Sequence, residues 1–150
     1  MNWKAYLEDK IYNEQAKVSK LLDIDNEENG TNYNVSLVLN LLEKDINFDI
    51  NKYDTIILEG NFFILINVID KCINKTINIK VATMDDYALN SYIKAKYEEY
   101  CKDYNINKNI DIDIDEVFKI DTKNVLSIGC KPFVKDMKRI FNSDSLESEL

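Results

Sequence analysis

The hydrophobic positions between residues 54 and 82 predict a strand, a short helix and a second strand in close succession. Residues 61–73, in the middle, carry apolar side chains at intervals of three and four, although every second residue from Phe62 to Val68 is also apolar, as on a strand. A helix fits this segment better, because Asn61 can cap its start. We therefore predict a βαβ unit with two parallel strands. A strand over 61–73 would instead give an antiparallel meander and an α+β fold.

The patterns on either side of this unit predict further elements. Helical spacing of apolar residues predicts one amphipathic helix over residues 3–22, a second helix over 34–44 and a long helix that ends near Tyr104. Residues 110–115 alternate isoleucine with aspartate, which predicts a strand, and the apolar residues of 125–128 predict another.

Segments without periodicity mark a loop and the end of the chain. The acidic segment 23–30 carries turn-forming residues and is predicted to be a loop, and Pro132 suits the first turn of a last helix. We predict a single globular α/β domain over residues 1–142 and an acidic flexible tail over 143–150. The expected fold class is α/β, with two N-terminal helices and a mostly parallel sheet of three or four strands flanked by helices.

The composition restricts the classes of function. The chain of 150 residues carries a formal net charge of -8 and has a pI near 4.6, which disfavours direct binding to nucleic acid. It has no histidine, the usual general base near neutral pH, so Ser-His and Cys-His nucleophiles are excluded. No apolar run approaches the roughly 20 residues of a membrane span, and the start of the chain has no signal-peptide pattern. We therefore expect a cytoplasmic protein that does not bind membranes.

The three cysteines, Cys72, Cys101 and Cys130, are far apart in the sequence, which argues against a zinc site and against a disulfide framework. Cys130 lies at a predicted helix N-terminus beside Lys131, a setting that can make a thiol reactive. Without a histidine as base, a structural cysteine is the preferred interpretation.

Carboxylates at the ends of the two strands of the βαβ unit form a candidate metal site. Glu59 ends the first strand, and Asp85 and Asp86 follow the second. The carboxyl ends of parallel strands meet at one edge of the sheet, and Mg²⁺ prefers carboxylate oxygens, so Mg²⁺ is the one candidate cofactor. The first strand with its glutamate resembles that of a toprim domain, whose Asp-x-Asp strand has no counterpart here. The alternative function is thus a Mg²⁺-dependent or nucleotide-phosphate-binding α/β enzyme.

Two acidic clusters, residues 23–28 and 111–116, give the functional hypothesis that we prefer. Together they can present a negative surface to a cationic protein, and tyrosines near the end of the long helix can anchor the contact. We predict a non-enzymatic inhibitor or immunity-type protein of bacterial or phage type that blocks a basic or nucleic-acid-binding partner, such as a nuclease or toxin. The predicted partner-binding residues are Asp23, Asp25, Glu27, Glu28, Asp111, Asp113, Asp115, Glu116, Tyr97, Tyr100 and Tyr104.

The helix over residues 34–44 supports a second alternative. Leu37 and Leu41 widen its apolar stripe, which is typical of a helix buried on more than one side. Such a face can be an oligomer interface, so a structural subunit of a larger assembly stays open. The sequence does not fix the oligomeric state.

Overall fold

The computed structural model describes residues 2–46, 53–59, 62–82, 86–115, 125–128 and 146–149, which form helices and parallel strands. The helices are α1 (Trp3–Asn13), α2 (Gln15–Asn29), α3 (Val35–Leu41), α4 (Phe62–Cys72) and α5 (Tyr87–Asp103). The strands are β1 (Thr55–Glu59), β2 (Ile77–Ala82), β3 (Ile110–Asp115), β4 (Val125–Ile128) and β5 (Leu146–Glu149). The predicted last helix after Pro132 lies outside the described residues.

The sheet has the strand order β3-β2-β1-β4-β5, and every pair of neighbouring strands is parallel. Helix α4 connects β1 to β2, and α5 connects β2 to β3. The α/β prediction and its βαβ unit are therefore confirmed, and the antiparallel alternative is wrong. The continuous apolar surface of α4 explains this outcome, because a helix that covers a parallel sheet buries most of its circumference.

The two faces of strand β3 differ in polarity. The register places Ile56, Ile79 and Ile112 of neighbouring strands on one face, where they pack with residues of the five described helices in one hydrophobic core. On the opposite face of β3, Asp111 and Asp113 are exposed. The alternation of isoleucine and aspartate thus separates a core side from a solvent side along this strand.

Trp3 connects the N-terminal helix to the rest of the core. Its indole Nε1 donates a hydrogen bond to the backbone oxygen of Ile66 on α4, at 3.1 Å. Its ring meets the rings of Tyr97 and Tyr100 on α5 edge-on, with centroids 6.0 and 5.9 Å apart. Trp3 therefore holds α1, α4 and α5 together, and as the one tryptophan of the chain it reports on this junction.

The N-terminal region differs from its prediction in two ways. The helix over 3–22 is broken at Glu14, where φ is −116° and ψ is 33°, so that α1 and α2 pack separately against α5. The predicted loop over 23–30 is wrong, because α2 continues through this segment to Asn29. Gly30 ends the helix with φ +67°, a left-handed conformation that glycine adopts at little cost.

Strand β5 lies within residues 143–150, for which the sequence predicts a flexible tail. Instead Leu146 pairs with Val125 in parallel register, and the next three residues continue the ladder along β4. This segment has no apolar periodicity, so only its backbone pairing with β4 identifies it as a strand. The single-domain boundary itself stays a prediction.

None of the described helices combines the length and the apolar character needed to cross a membrane.

Candidate functional site

The strand order places one position of the sheet where ligands bind in many α/β proteins. The chain proceeds from β1 outward to β2 and β3, and then β4 and β5 lie on the other side of β1. In open α/β sheets, ligands bind outside the carboxyl ends of the strands at such a switch point. Glu59 is the last residue of β1 and so lies at this edge. Its side chain is not among the described atoms, and Asp85 lies outside the described residues.

Asp86, the third candidate metal ligand, is buried and has other partners. Its Oδ2 accepts a hydrogen bond from the backbone N–H of Phe62 at 3.4 Å, and its Oδ1 accepts one from the side chain of Asn29 at 3.2 Å. The carboxylate therefore stabilises the N-terminus of α4 and is not open to solvent. The metal site of Glu59, Asp85 and Asp86 stays a prediction. In the described part of the chain, no three Asp, Glu, Cys or His residues are grouped closely enough to hold a metal ion.

Asp25 is also an internal capping residue and not a surface acid. It is 1% exposed, and its two carboxylate oxygens accept hydrogen bonds from the backbone N–H groups of Ala88 and Leu89, at 3.0 and 2.9 Å. Asp86 occupies the N-cap position of α5 but makes no capping bond to that helix. Asp25 supplies the missing cap from α2, which corrects its assignment to the partner-binding surface.

The remaining predicted acids lie on two different sides of the molecule. Asp23, Glu27 and Glu28 are exposed on α2, whose buried side packs into the core from the helix layer. Asp111 and Asp113 are exposed on the opposite face of the sheet. A single acidic docking face made of both clusters is therefore wrong. The side chain of Asp115 is not described, and Glu116 lies outside the described residues.

The predicted tyrosine anchors belong mostly to the core. Tyr97 is 1% exposed and its hydroxyl accepts a hydrogen bond from the backbone N–H of Ile110, at 3.3 Å, while Tyr100 packs between Trp3 and Tyr6. Neither can contact a partner while α5 is folded, which corrects these two assignments. Tyr104 is 44% exposed and remains available.

Two exposed apolar side chains that the sequence analysis missed lie beside the Asp25 cap. Ile24 directly precedes Asp25, and Tyr87 directly precedes Ala88, so each is one residue from the contact that joins α2 to α5. They are 50% and 55% exposed. In the sequence, the position of Ile24 outside the helical spacing of Val18 and Leu22 is the pattern that indicates exposure of its side chain.

A buried lysine forms the main ionic cluster of the described residues. The Nζ atom of Lys96 lies 3.1 Å from a carboxylate oxygen of Glu14 and 2.9 Å from one of Glu99, and 5.0 Å from the centre of the Tyr92 ring. Burial opposes the charge on Lys96, but the hydrogen bonds to Glu99 and Glu14 outweigh it and raise its pKa. The amine therefore stays protonated and cannot act as a nucleophile or base near neutral pH.

The amino ends of the strands border an open cleft of about 530 Å³. The cleft carries side chains of both charges as well as amides. Its lining residues are Asp54, Thr76, Ile77, Asn78, Lys108, Asn109, Ile110 and Asp111. It lies at the end of the sheet away from the switch point, and Lys108 is also paired with Glu98 at 3.5 Å.

The leucines proposed for an oligomer interface do not form a shared exposed face. Leu41 packs against the core, and Leu37 is only 37% exposed on the short helix α3. This observation weakens the structural-subunit alternative.

Comparison of the chain with protein-family models, with curated proteins and with solved structures finds no match.

Proposed function

We propose that the protein is a non-enzymatic binding module that captures a cationic protein partner through the end of α2. The binding surface, which we call the α2 surface, consists of Asp23, Ile24, Glu27, Glu28 and Tyr87. The observation that carries the proposal is the exposure of two large apolar side chains, Ile24 and Tyr87, each one residue from the Asp25 contact between α2 and α5, together with three exposed carboxylates on α2.

This arrangement has the composition of a protein–protein contact. Interfaces typically combine a small apolar or aromatic centre with a polar rim, and tyrosine is among their most frequent anchors. Among the described residues, none forms an ion pair with Asp23, Glu27 or Glu28. Their charge is therefore not neutralised locally, which favours the approach of a basic partner.

The Asp25 cap gives this surface a fixed geometry. Its two hydrogen bonds hold the last turns of α2 against the first turn of α5, so Ile24 and Tyr87 keep their relative positions before a partner arrives. A pre-organised surface loses less conformational entropy on binding. We infer that the partner's function is blocked by steric coverage, as expected for an inhibitor or immunity-type protein of a nuclease or toxin.

The test is capture of partners from the native host lysate by four immobilised proteins at about 50 and 200 mM salt. They are the wild type, Ile24→Ala/Tyr87→Ala, Asp23→Lys/Glu27→Lys and the control Tyr12→Ala. Tyr12 is a matched control because it is 65% exposed but lies on α1, near the opposite end of α2. We expect one basic partner to bind the wild type and the control stoichiometrically and to be lost from both double variants.

Two outcomes would overturn the proposal: no partner at either salt concentration, or equal capture by all four proteins. A captured partner with nuclease or toxin activity should lose that activity when an equimolar amount of the wild type is added. Undiminished activity would refute the inhibitory role while leaving the binding surface intact.

The strand order favours one second candidate, a Mg²⁺- or phosphate-binding enzyme whose ligand sits at the switch point beside Glu59. Ligands that bind only the native state raise the melting temperature. This candidate predicts that Mg²⁺ raises the melting temperature of the wild type, that Glu59→Gln abolishes the rise and that the surface control Glu28→Gln keeps it. An unchanged melting temperature of the wild type in Mg²⁺ would remove the metal-dependent form of this candidate.

A further inference from the structure

Strand β3 forms one edge of the sheet, and within the described ranges β2 is the strand that pairs with it. The pairing starts with the backbone N–H of Ile77, which donates to the oxygen of Asn109 at 3.1 Å. In a parallel ladder the backbone groups of alternate residues point to opposite sides. The groups of Asp111 and Asp113 therefore face β2, whereas those of the isoleucines of β3 face outward.

One of these outward groups already has a partner. The N–H of Ile110 donates to the hydroxyl of Tyr97, so the side chain of α5 closes the start of the edge. Beyond it, the N–H and C=O groups of Ile112 and Ile114 form the part of the edge to which another strand can be added.

The side chains next to this edge define the chemistry of such a strand. On the solvent face lie Asp111, which has no ion pair to another described residue, and Asp113, which is paired with Lys80 at 3.2 Å. On the other face, Ile112 belongs to the hydrophobic core and Ile114 packs against it. Neighbouring side chains across a strand pair are only about 5 Å apart, so the added strand should carry basic residues beside the aspartates and apolar residues beside the isoleucines.

We propose that the β3 edge is a second interaction surface, which binds an extended basic segment of a partner protein by strand addition. The segment has lysine or arginine alternating with apolar residues. Backbone hydrogen bonds to Ile112 and Ile114 provide the pairing, and Asp111 and Asp113 select for positive charge. This surface lies on the opposite side of the molecule from the α2 surface and does not depend on it.

The same aspartates select against a second copy of this protein at the edge. Pairing two β3 edges would bring carboxylates of one strand next to those of the other, and like charges directly opposite each other destabilise a strand pair. Charged residues on an edge strand are a common protection against such self-association. Charge therefore disfavours pairing of two β3 strands and favours pairing of β3 with a basic strand.

The test measures binding of three fluorescent peptides to the full-length protein by anisotropy. The first alternates lysine and valine over seven residues, the second has the same composition with all lysines in one block, and the third repeats the first with alternate backbone amides methylated. Protein variants are Asp111→Lys/Asp113→Lys and the matched control Glu8→Lys/Asp9→Lys, which changes the net charge by the same amount at exposed acids of α1 that belong to neither surface. We expect the alternating peptide to bind the wild type at least about tenfold more tightly than the other two peptides, a difference of about 1.4 kcal/mol.

The β3 variant should lose at least about tenfold in affinity for the alternating peptide, whereas the α1 control should change less than about twofold. Amide hydrogen exchange gives a second readout, since strand addition should slow exchange at Ile112 and Ile114. Three results would overturn the proposal: no binding of the alternating peptide, equal binding of the methylated peptide, or equal losses in the two protein variants. The last result would indicate attraction to overall charge.

Discussion

Replacement of Asp25 tests the most unusual local feature of this fold, a helix capped by a side chain from another helix. The carboxylate on α2 accepts the N–H groups of Ala88 and Leu89, and the residue at the N-cap position of α5 makes no such bond. Asp25→Ala should therefore leave two N–H groups in the first turn of α5 without their acceptor, and it also removes a negative charge from the positive end of the helix dipole.

The expected size of the effect follows from the geometry. Removal of an N-cap side chain costs about 0.5–2 kcal/mol, and a hydrogen bond to a charged group contributes about 1.5–3 kcal/mol. Asp25 makes two such bonds and is buried, so we expect Asp25→Ala to lower the free energy of unfolding by about 2–4 kcal/mol. Asp25→Asn keeps one oxygen acceptor but turns an amide group toward the second N–H, and should cost about half as much.

Urea unfolding followed by Trp3 fluorescence measures this loss, because the buried indole contacts both α4 and α5. With a slope of about 2 kcal/mol per molar urea, the midpoint should fall by about 1–2 M for Asp25→Ala. Asp23→Ala is the control, since this exposed acid lies two residues earlier on the same helix and should change stability by less than about 0.5 kcal/mol. Equal midpoints for the Asp25 and Asp23 variants would refute the capping argument.

Four other buried side chains, Lys96, Cys72, Cys101 and Tyr97, give shorter predictions. Lys96→Met should lower the free energy of unfolding by about 2–3 kcal/mol, because the carboxylates of Glu14 and Glu99 lose their counter-ion. Glu99→Gln should cost less than about 1 kcal/mol, because Glu99 is half-exposed. Equal urea midpoints for these two variants would contradict this. Burial raises the pKa of Cys72 to about 12, and Cys101 is also buried, so both thiols should resist a thiol reagent until urea unfolds the protein. Peptide mass spectrometry locates the labelled cysteines, and rapid labelling of either thiol in the native protein would disprove this prediction. Burial also raises the pKa of Tyr97, so the folded state holds this proton more tightly than the unfolded chain. That stabilisation is complete below pH about 10 and is lost as the pH rises above it, so the urea midpoint should fall in alkaline solution, and less steeply in Tyr97→Phe.

The parts of the fold that could be predicted from sequence are those with a strong hydrophobic period. The apolar run of β1, the helical spacing of α4 and the alternation of β3 each determine an element and its buried side. The sequence could not show that α2 continues through residues 23–29, because the aspartates and asparagines there, followed by Gly30, are typical of a turn or loop. Packing against α5 overrides this local preference, and the buried Asp25 accepts hydrogen bonds from the first turn of α5.

The candidate site was less predictable because the role of a polar residue depends on its surroundings. Asp23 and Asp25 are equivalent by sequence, yet one is exposed and the other caps α5. Tyr97 and Tyr87 lie on the same helix, and only Tyr87 is on the surface. Which side of a helix is buried depends on the neighbouring helix, and that information is not present in one segment of sequence.

The net charge of -8 is therefore not the property of one surface. Asp25 and Asp86 bind helix N-termini inside the fold, the exposed acids of α2 lie on the same helix as Ile24, and those of β3 lie on the opposite side of the sheet. Exposed charges separated by more than about 8–10 Å are largely screened at physiological salt, so the two surfaces should act on a partner almost independently. A single partner that engages both would have to reach around the sheet edge, and its affinity would then fall in two separable steps as each surface is reversed in charge. Two different partners would each respond to only one of the reversals.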